Sequence, residues 1–218
     1  MPGKFLAFRG PCDSVDNQGA KRAKDYIHTF KQLGVHSIVR LNKPEYCKSA
    51  FVEAGFEHHD LLFQDCSVPN SRTVDNFLRC AEALQPGHVI AVHCLAGLGR
   101  TGTLIALYMM KHLGFTANEA MGWLRIARPG SIIGPQQQFL ADQESLMHKL
   151  GAMGASGLGQ YLKDLNDERP SPHAKFTCNL VPAQTKVLAD MVRDGMLSRL
   201  KAPAEHGRGR RKEAGSRA

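Results

Sequence analysis

The hydrophobic and polar positions of the chain switch between two periods over its first 150 residues. Short apolar runs have the length of strands, and the segments between them repeat apolar residues three and four positions apart, as on a helix face. Strands alternating with helices predict an α/β fold with a central, mostly parallel sheet flanked by helices on both faces. The predicted strands are Phe5–Phe8, Ser37–Leu41, Glu57–Phe63 and Val89–Val92, and the predicted helices are Lys21–Leu33, Cys47–Ala54, Ser71–Leu84, Thr101–Leu113, Thr116–Ala127 and Pro135–Leu150.

Polar residues mark where these helices begin and end. Ser71 is a predicted N-cap, since its hydroxyl suits the free N–H groups of a first helical turn. Thr116 and Glu119 have the spacing of a capping box. Pro86 and Gly87 are expected to end the helix before them, because neither residue favours helix continuation.

The character of the chain changes after Leu150. Glycines recur between residues 151 and 159, so we predict one domain over residues 1–150 and a Gly-rich linker with a basic, partly helical or disordered tail over residues 151–218. Val187–Leu200 has helical spacing, typical of a helix packed on the domain or of one that binds an export factor. Arg208–Lys212 has the composition of a solvated tail or of a nuclear-import patch.

Composition narrows the class of protein. No run of 18 apolar residues and no signal-peptide pattern is present, so no membrane partner is expected. More than half of the net charge of +8 follows residue 150, and the mildly basic remainder suits an anionic substrate rather than specific nucleic-acid binding. Six cysteines without a C-x-x-C pair predict thiols in a reducing compartment, cytoplasmic or nuclear. His58 and His59 lack a third ligand, so we expect strand-edge residues, no metal and no cofactor.

The segment from His93 to Thr101 carries the most specific chemistry. It fits H-C-x-x-G-x-x-R-[ST], the active-site loop of the cysteine-dependent phosphatases. The spacing from Cys94 to Arg100 allows the backbone to curl around a tetrahedral anion, with glycines turning N–H groups inward. The following helix would add an N-terminus that favours negative charge. The predicted phosphate-binding residues are Leu95, Ala96, Gly97, Leu98, Gly99 and Arg100.

Each reactive side chain of this segment has a predicted role. Cys94 is the nucleophile, because a helix N-terminus and a nearby arginine favour the thiolate form. Arg100 is expected to fork onto two phosphate oxygens. Thr101 is expected to donate its hydroxyl to Cys94 when the thiolate leaves a phosphoenzyme. His93 is expected to orient the loop through hydrogen bonds of its ring.

Longer stretches of the chain resemble the cell-division-cycle-fourteen (mitotic-exit) family of dual-specificity protein phosphatases. Leu95–His112 and Trp123–Leu140 carry the resemblance, and Pro2–Phe8 and Val39–Lys43 match as well. The resemblance implies the cysteine-dependent protein phosphatase fold. It implies hydrolysis of phosphoserine, phosphothreonine and phosphotyrosine in protein substrates through a cysteinyl-phosphate intermediate, in cell-cycle or cytoskeletal regulation.

The resemblance also assigns residues outside the loop. The family supplies its general acid from a segment of the form Asp-Gly-Ser-x-Pro, which here is Asp65–Pro69. Asp65 is therefore expected to protonate the leaving oxygen and then to deprotonate the attacking water. Gln136 and Gln137 match family glutamines near the site, and one of them is expected to position that water.

Three departures from the family pattern bear on function. Leu95 and Leu98 stand where phosphoinositide phosphatases carry lysines, which argues against highly charged inositide substrates. Cys66 replaces the loop glycine and is expected to stiffen the acid loop. Family members carry a further, N-terminal phosphatase-like half, and this chain begins where the catalytic half begins, so we expect weak discrimination around the phosphosite.

Other functions are less compatible with these residues or remain alternatives. A pseudophosphatase would have lost Cys94, Arg100 or Asp65, and all three are present. A phosphatase of RNA 5′ ends or of phospholipids is disfavoured by the leucines of the loop. A phosphoprotein-binding or regulatory half that needs a separate N-terminal partner for activity remains the alternative.

Overall fold

The computed structural model describes residues 3–14 and 21–153, and within them the chain forms four strands and six helices. The strands are β1 (Phe5–Arg9), β2 (Val35–Arg40), β3 (Glu57–Asp60) and β4 (Val89–Cys94), and the helices are α1 (Ala23–Gln32), α2 (Ser49–Val52), α3 (Ser71–Glu82), α4 (Gly99–Leu113), α5 (Ala117–Ala127) and α6 (Pro135–Met153).

The strands pair in parallel in the order β1-β4-β2-β3, which confirms the α/β prediction. Strand β4 lies inside the sheet, and its residues Ile90, Ala91 and Val92 have no exposed surface. The register sets Arg9 beside Cys94, so Cys94 lies at the carboxyl edge of the sheet. Ligand sites of open α/β sheets form at this edge.

Helices cover both faces of the sheet, as the sequence predicts. On one face, α3, α5 and α6 pack around α4, whose Leu104 and Met109 are fully buried. On the other face, α1 and α2 contribute Phe30 and Phe51 to a second apolar cluster. Truncating a fully buried aromatic side chain to alanine typically costs about 3–5 kcal/mol. The two clusters therefore hold the sheet, and with it the end of β4, in place.

Strand β3 is shorter than predicted. It ends at Asp60 rather than at Phe63. The N–H groups of Leu61 and Phe63 still donate to carbonyls of Arg40 and Leu41, but these bonds are separate and form no continuous ladder. The segment after β3 therefore leaves the sheet edge early and reaches over the end of β4.

Several helix starts also differ from the sequence prediction. Helix α1 begins at Ala23 rather than at Lys21, and α2 begins at Ser49 rather than at Cys47. Asn70, not Ser71, is the N-cap of α3, and its side chain accepts from the Thr73 N–H at 2.8 Å. Helix α4 begins at Gly99 rather than at Thr101. The capping box of Thr116 is confirmed, with its hydroxyl and the Glu119 carboxylate both bonded as expected.

From residue 154 on, the predicted linker and tail lie outside the described residues, so the domain boundary at residue 150 stays a prediction. Helix α6 continues to Met153. Among the helices that the structure describes, none combines the length and the apolar character that a membrane crossing requires.

Candidate active site

Surrounding residues hold the loop between β4 and α4 in place by donating hydrogen bonds to its carbonyl groups. The carbonyls of residues 94–98 accept, in chain order, from His93 Nδ1 (3.0 Å), the Gly10 N–H (3.1 Å), Arg128 Nη2 (2.9 Å), Arg128 Nε (2.7 Å) and the Gly102 N–H (2.9 Å). Within the part of the chain that the structure describes, the backbone N–H groups of residues 95–98 donate to no acceptor. Free N–H groups at a helix N-terminus form a site for an anion.

Close backbone contacts require glycine in and beside the loop. Gly97 has φ +70°, and a Cβ there would collide with the Phe8 carbonyl at the end of β1. At Gly10 a Cβ would lie 2.5 Å from the Cys94 carbonyl oxygen. Any side chain at either position would push the loop away from β1.

Arg128 was not assigned a role from the sequence, although it lies in a stretch that resembles the family. Its guanidinium donates to the carbonyls of both Ala96 and Gly97. The planar fork of arginine suits two neighbouring acceptors in this way. Arg128 follows the end of α5, so its role depends on how α5 packs, which periodicity does not reveal.

Arg100 lies in the first turn of α4 with 4% of its side chain exposed. Its Nη1 donates to the carbonyls of Leu41 (3.2 Å) and Phe63 (2.9 Å), and its Nη2 lies 3.0 Å from Asp65 Oδ1. Its Nε is buried and has no hydrogen-bond partner in the described part of the chain. The structure thus brings Arg100 and Asp65 together and leaves one strong donor of the arginine unused.

Thr101 is fully buried beside this arginine. Its Oγ1 has no hydrogen-bond partner among the described residues, so the expected bond to Cys94 is not present in this state. A buried polar atom without a partner is costly unless a ligand or water satisfies it. The unused hydroxyl and the Arg100 Nε lie in the same helical turn, next to the cysteine loop.

Asp65 lies in an exposed loop after β3, with 61% of its side chain accessible. Its carboxylate also accepts from the N–H of Cys66 at 3.1 Å. Cys66 adopts φ +55°, a conformation that glycine adopts more readily than other residues. The residue type that departs from the family pattern therefore occupies a backbone conformation that suits the family's glycine.

The two candidate glutamines lie in different surroundings. Gln136 is 1% exposed and donates from Nε2 to the Ser67 carbonyl, two residues after Asp65. Gln137 instead accepts from Arg125 Nη2 at 2.9 Å. The geometry therefore places Gln136 against the acid loop and Gln137 against the segment that precedes α6.

His93 is fully buried and bonded on both ring nitrogens. Its Nδ1 faces the Cys94 carbonyl at 3.0 Å, and its Nε2 lies 2.9 Å from the Tyr46 hydroxyl. The same hydroxyl lies 2.7 Å from His58 Nε2. Burial lowers the pKa of His93 to about 3 and that of His58 to about 4, and it raises the pKa of Tyr46.

The sequence predicted neither the role of Tyr46 nor the inward position of the His58 side chain. The pair His58-His59 was expected to lie at a strand edge, and β3 is indeed the edge strand. The His58 side chain, however, has no exposed surface, whereas His59 is 34% exposed. The alternation of side chains along a strand separates two neighbours that look alike in sequence.

Comparisons with known proteins identify the family of this chain. A family model described as "Tc-R-P: Polymorphic toxin system, DSP-PTPase phosphatase" matches residues 14–114. The dual specificity protein phosphatase CDC14A of Homo sapiens is 48% identical over 72% of this chain, and CDC14B of Mus musculus is 50% identical over 66%. The tyrosine-protein phosphatase cdc-14 of Caenorhabditis elegans is 43% identical over 78%.

Solved structures share the fold. A protein tyrosine phosphatase from Leishmania major has a TM-score of 0.55 at 27% identity, covering 63% of this chain and 85% of that one. PTPMT1 has a TM-score of 0.57 at 20% identity, covering 70% and 96%, and shows a similar fold only.

The matched region is a part of the curated relatives. It covers 27% of the human CDC14A, 30% of the mouse CDC14B and 24% of the nematode protein. This part includes the cysteine loop and the residues that surround it. The chain belongs to the CDC14 family of dual-specificity protein phosphatases and corresponds to less than a third of its relatives' length.

Proposed function

We propose that this chain is a protein phosphatase that hydrolyses phosphoserine, phosphothreonine and phosphotyrosine through a cysteinyl-phosphate intermediate. The observation that carries the proposal is the polarity of the cysteine loop. Its carbonyls are bonded outward, and among the described residues its N–H groups and two buried donors, Arg100 Nε and Thr101 Oγ1, have no partner. A phosphoryl group has the charge and the oxygens to satisfy all of these donors.

In the first step, the Cys94 thiolate attacks phosphorus and the bond to the leaving oxygen breaks. Asp65, in its protonated form, donates its proton to that oxygen. The loop N–H groups and Arg100 stabilise the charge on the three phosphoryl oxygens of the transition state. Because Arg100 pairs with Asp65 in the present state, an arriving phosphate would compete for the arginine and release the carboxyl group for its role as an acid.

In the second step, water attacks the cysteinyl phosphate and the thiolate of Cys94 leaves. Asp65, now a carboxylate, takes a proton from the water. Gln136 is the better candidate to position this water, because it is bonded to the acid loop whereas Gln137 is bonded to Arg125. Within residues 3–14 and 21–153 the Thr101 hydroxyl has no competing partner, so it can donate to the leaving sulfur.

The substrate class follows from the loop and its family. Leu95 is 41% exposed and offers no cation at the entrance, which suits phosphoproteins better than multiply charged inositides. Cell-cycle or cytoskeletal phosphoproteins in the cytoplasm or nucleus are the proposed substrates, by analogy with the CDC14 relatives.

The second candidate function is a regulatory half that needs a separate partner for activity. It is favoured by one observation, the match to less than a third of each relative's length. Under this alternative the loop would still bind phosphate, but turnover of peptides would require the added partner.

An assay of the purified chain separates the two candidates. The proposal expects turnover of an aryl phosphate and of phosphoserine and phosphotyrosine peptides, together with a phosphoenzyme that can be trapped by acid quench. Cys94→Ser should abolish both signals while oxyanion binding, measured by calorimetry with vanadate, persists. Near-normal activity of Cys94→Ser would refute the mechanism, and vanadate binding without any turnover by the wild-type chain would favour the regulatory half.

A further inference from the structure

A buried row of polar groups runs from the cysteine loop to the edge strand. It consists of the Cys94 carbonyl, His93, Tyr46 and His58, and we call it the His58 relay. Its three links measure 3.0, 2.9 and 2.7 Å. His58 lies on β3, two strands away from β4 in the sheet order.

The direction of the first two hydrogen bonds is fixed by chemistry. A carbonyl oxygen only accepts, so His93 must carry a hydrogen on Nδ1. Burial holds His93 neutral, since it lowers the pKa to about 3, and its Nε2 therefore has a lone pair. The hydroxyl of Tyr46, at 2.9 Å, must then be the donor to His93.

The last link has to run in the same direction. The Tyr46 hydroxyl has one hydrogen, which points to His93, so its oxygen accepts from His58 Nε2. His58 Nδ1 is then without a hydrogen, which agrees with its being buried and having no acceptor within hydrogen-bond distance among the described residues.

The charged neighbours of His58 are compatible with this tautomer. Asp60 Oδ1 lies 3.8 Å from Nδ1, too far for a hydrogen bond, and it instead accepts from Arg40 Nε at 2.6 Å. Lys48 also pairs with this carboxylate, at 3.7 Å, while His59 pairs with Glu57. Arg40 thus holds the one carboxylate that could draw the His58 hydrogen to Nδ1.

We propose that His58 is a positioning residue for the cysteine loop, acting through Tyr46 and His93. By donating to Tyr46, it keeps the Tyr46 hydroxyl turned toward His93, and this keeps His93 as the donor that fixes the Cys94 carbonyl. His58 touches neither the substrate nor the sulfur. The proposal extends the phosphatase function proposed above, because it concerns the loop that would bind the phosphoryl group.

The kinetic test replaces His58 with phenylalanine, which keeps an aromatic ring next to Phe51 and removes the donor. We expect kcat to fall about three- to tenfold, the scale of one hydrogen bond. KM should change less than kcat, because the row of bonds ends on the Cys94 carbonyl and not on the N–H groups that would bind the phosphate. His59→Phe on the same strand is the matched control and should leave both constants unchanged, and His58→Gln, which retains an N–H donor, should recover most of the activity.

A double mutant separates the relay from a general packing defect. Tyr46→Phe removes the hydroxyl through which His58 would act. In this background His58→Phe should cause no further loss of kcat. A further loss as large as in the wild-type background would overturn the proposal.

Nitrogen-15 NMR of the imidazole rings tests the same idea without catalysis. The wild-type chain should show His93 protonated on Nδ1 and His58 protonated on Nε2. In Tyr46→Phe the hydrogen of His58 should no longer favour Nε2 over Nδ1. A wild-type His58 protonated on Nδ1 would overturn the proposal, even if His58→Phe does not fold. Because this measurement needs no turnover, a chain that proves inactive would refute the phosphatase function and leave the relay test intact.

Discussion

The side chain of Gln136 donates from Nε2 to the carbonyl of Ser67 at 3.0 Å and thereby joins the start of α6 to the acid loop. Its Oε1 accepts from the Ile133 N–H at 3.0 Å, which fixes the orientation of the amide. A Cβ on Gly99 would come within 2.9 Å of this Oε1, so the amide also packs on the first turn of α4. Gln136 therefore sets the distance between the acid loop and the cysteine loop.

Gln136→Ala should slow breakdown of the phosphoenzyme more than its formation, because both the loop position and the water position are lost. We expect kcat to fall tenfold or more, since small misplacements of reacting groups cost up to about 10²-fold. Rapid-quench kinetics should show a burst of product before the slower steady state. Gln137→Ala is the control and should retain kcat within about threefold; equal losses in both variants would contradict the assignment.

Arg128→Met should weaken oxyanion binding by removing the two bonds that hold the carbonyls of Ala96 and Gly97. Methionine keeps much of the length of the side chain. Each lost charge-assisted hydrogen bond is worth about 1.5–3 kcal/mol at most, so we expect vanadate affinity to fall about tenfold or more. Arg79→Met removes the i,i+4 ion pair with Asp75 in α3, which makes no bond to the loop, and should leave vanadate affinity unchanged.

Asp65→Asn should lower kcat on phosphopeptides by on the order of 10²–10⁴, because the leaving oxygen loses its proton donor. The loss should shrink with aryl phosphates whose leaving groups need no proton. The measurement is kcat for a series of aryl phosphates of graded leaving-group pKa. A slope that is the same in wild type and Asp65→Asn would exclude Asp65 as the acid.

Acid should destabilise the fold through the two buried histidines. Unfolded histidine takes up a proton near pH 6.5, whereas burial lowers the folded pKa to about 4 for His58 and about 3 for His93. The unfolded state thus binds more protons below pH 6.5, and stability falls as pH falls from there toward 4. For each histidine, the free energy of unfolding falls by about 1.4 kcal/mol per pH unit in this window. Urea unfolding between pH 6 and 4.5 measures how the free energy of unfolding depends on pH. In His58→Phe this dependence should be shallower than in the wild-type chain by about 1.4 kcal/mol per pH unit. An unchanged slope would contradict a neutral His58 in the folded state.

Cys66→Gly should stabilise the acid loop because the native φ of +55° is strained for a residue with a Cβ. The expected gain over Cys66→Ala, which keeps the strain and removes the thiol, is on the order of 1 kcal/mol. Thermal unfolding of the two variants measures it. Equal melting temperatures would mean that the loop adjusts without strain.

The sequence was sufficient for the fold and for the chemistry that depends on residues close in the chain. Periodicity predicted all four strands and six helices, and the spacing of Cys94 and Arg100 predicted the loop. Asp65 came from the family resemblance, and the structure places it against Arg100. Its catalytic role remains a prediction.

What the sequence did not reveal depends on contacts between distant segments. Arg128 and Tyr46 reach the loop through side chains whose direction is set by helix and loop packing, 34 residues after and 48 residues before Cys94. The early end of β3 depends on how the chain crosses the end of β4. The difference between His58 and His59 depends on which face of the edge strand meets the core. None of these features is marked by a pattern among neighbouring residues of the sequence.

The contact between Gly97 and the Phe8 carbonyl has a consequence for the order in which the site forms during synthesis. Residues 8–10 leave the ribosome before their partners in the loop, which follow some 85 residues later, and Arg128 and Gln136 follow later still. A nascent chain that already contains the nucleophile therefore lacks its anion cradle. Long-range contacts of this kind slow folding, so we expect the thiol of Cys94, which is buried in the folded chain, to stay accessible until the segment up to residue 136 has docked.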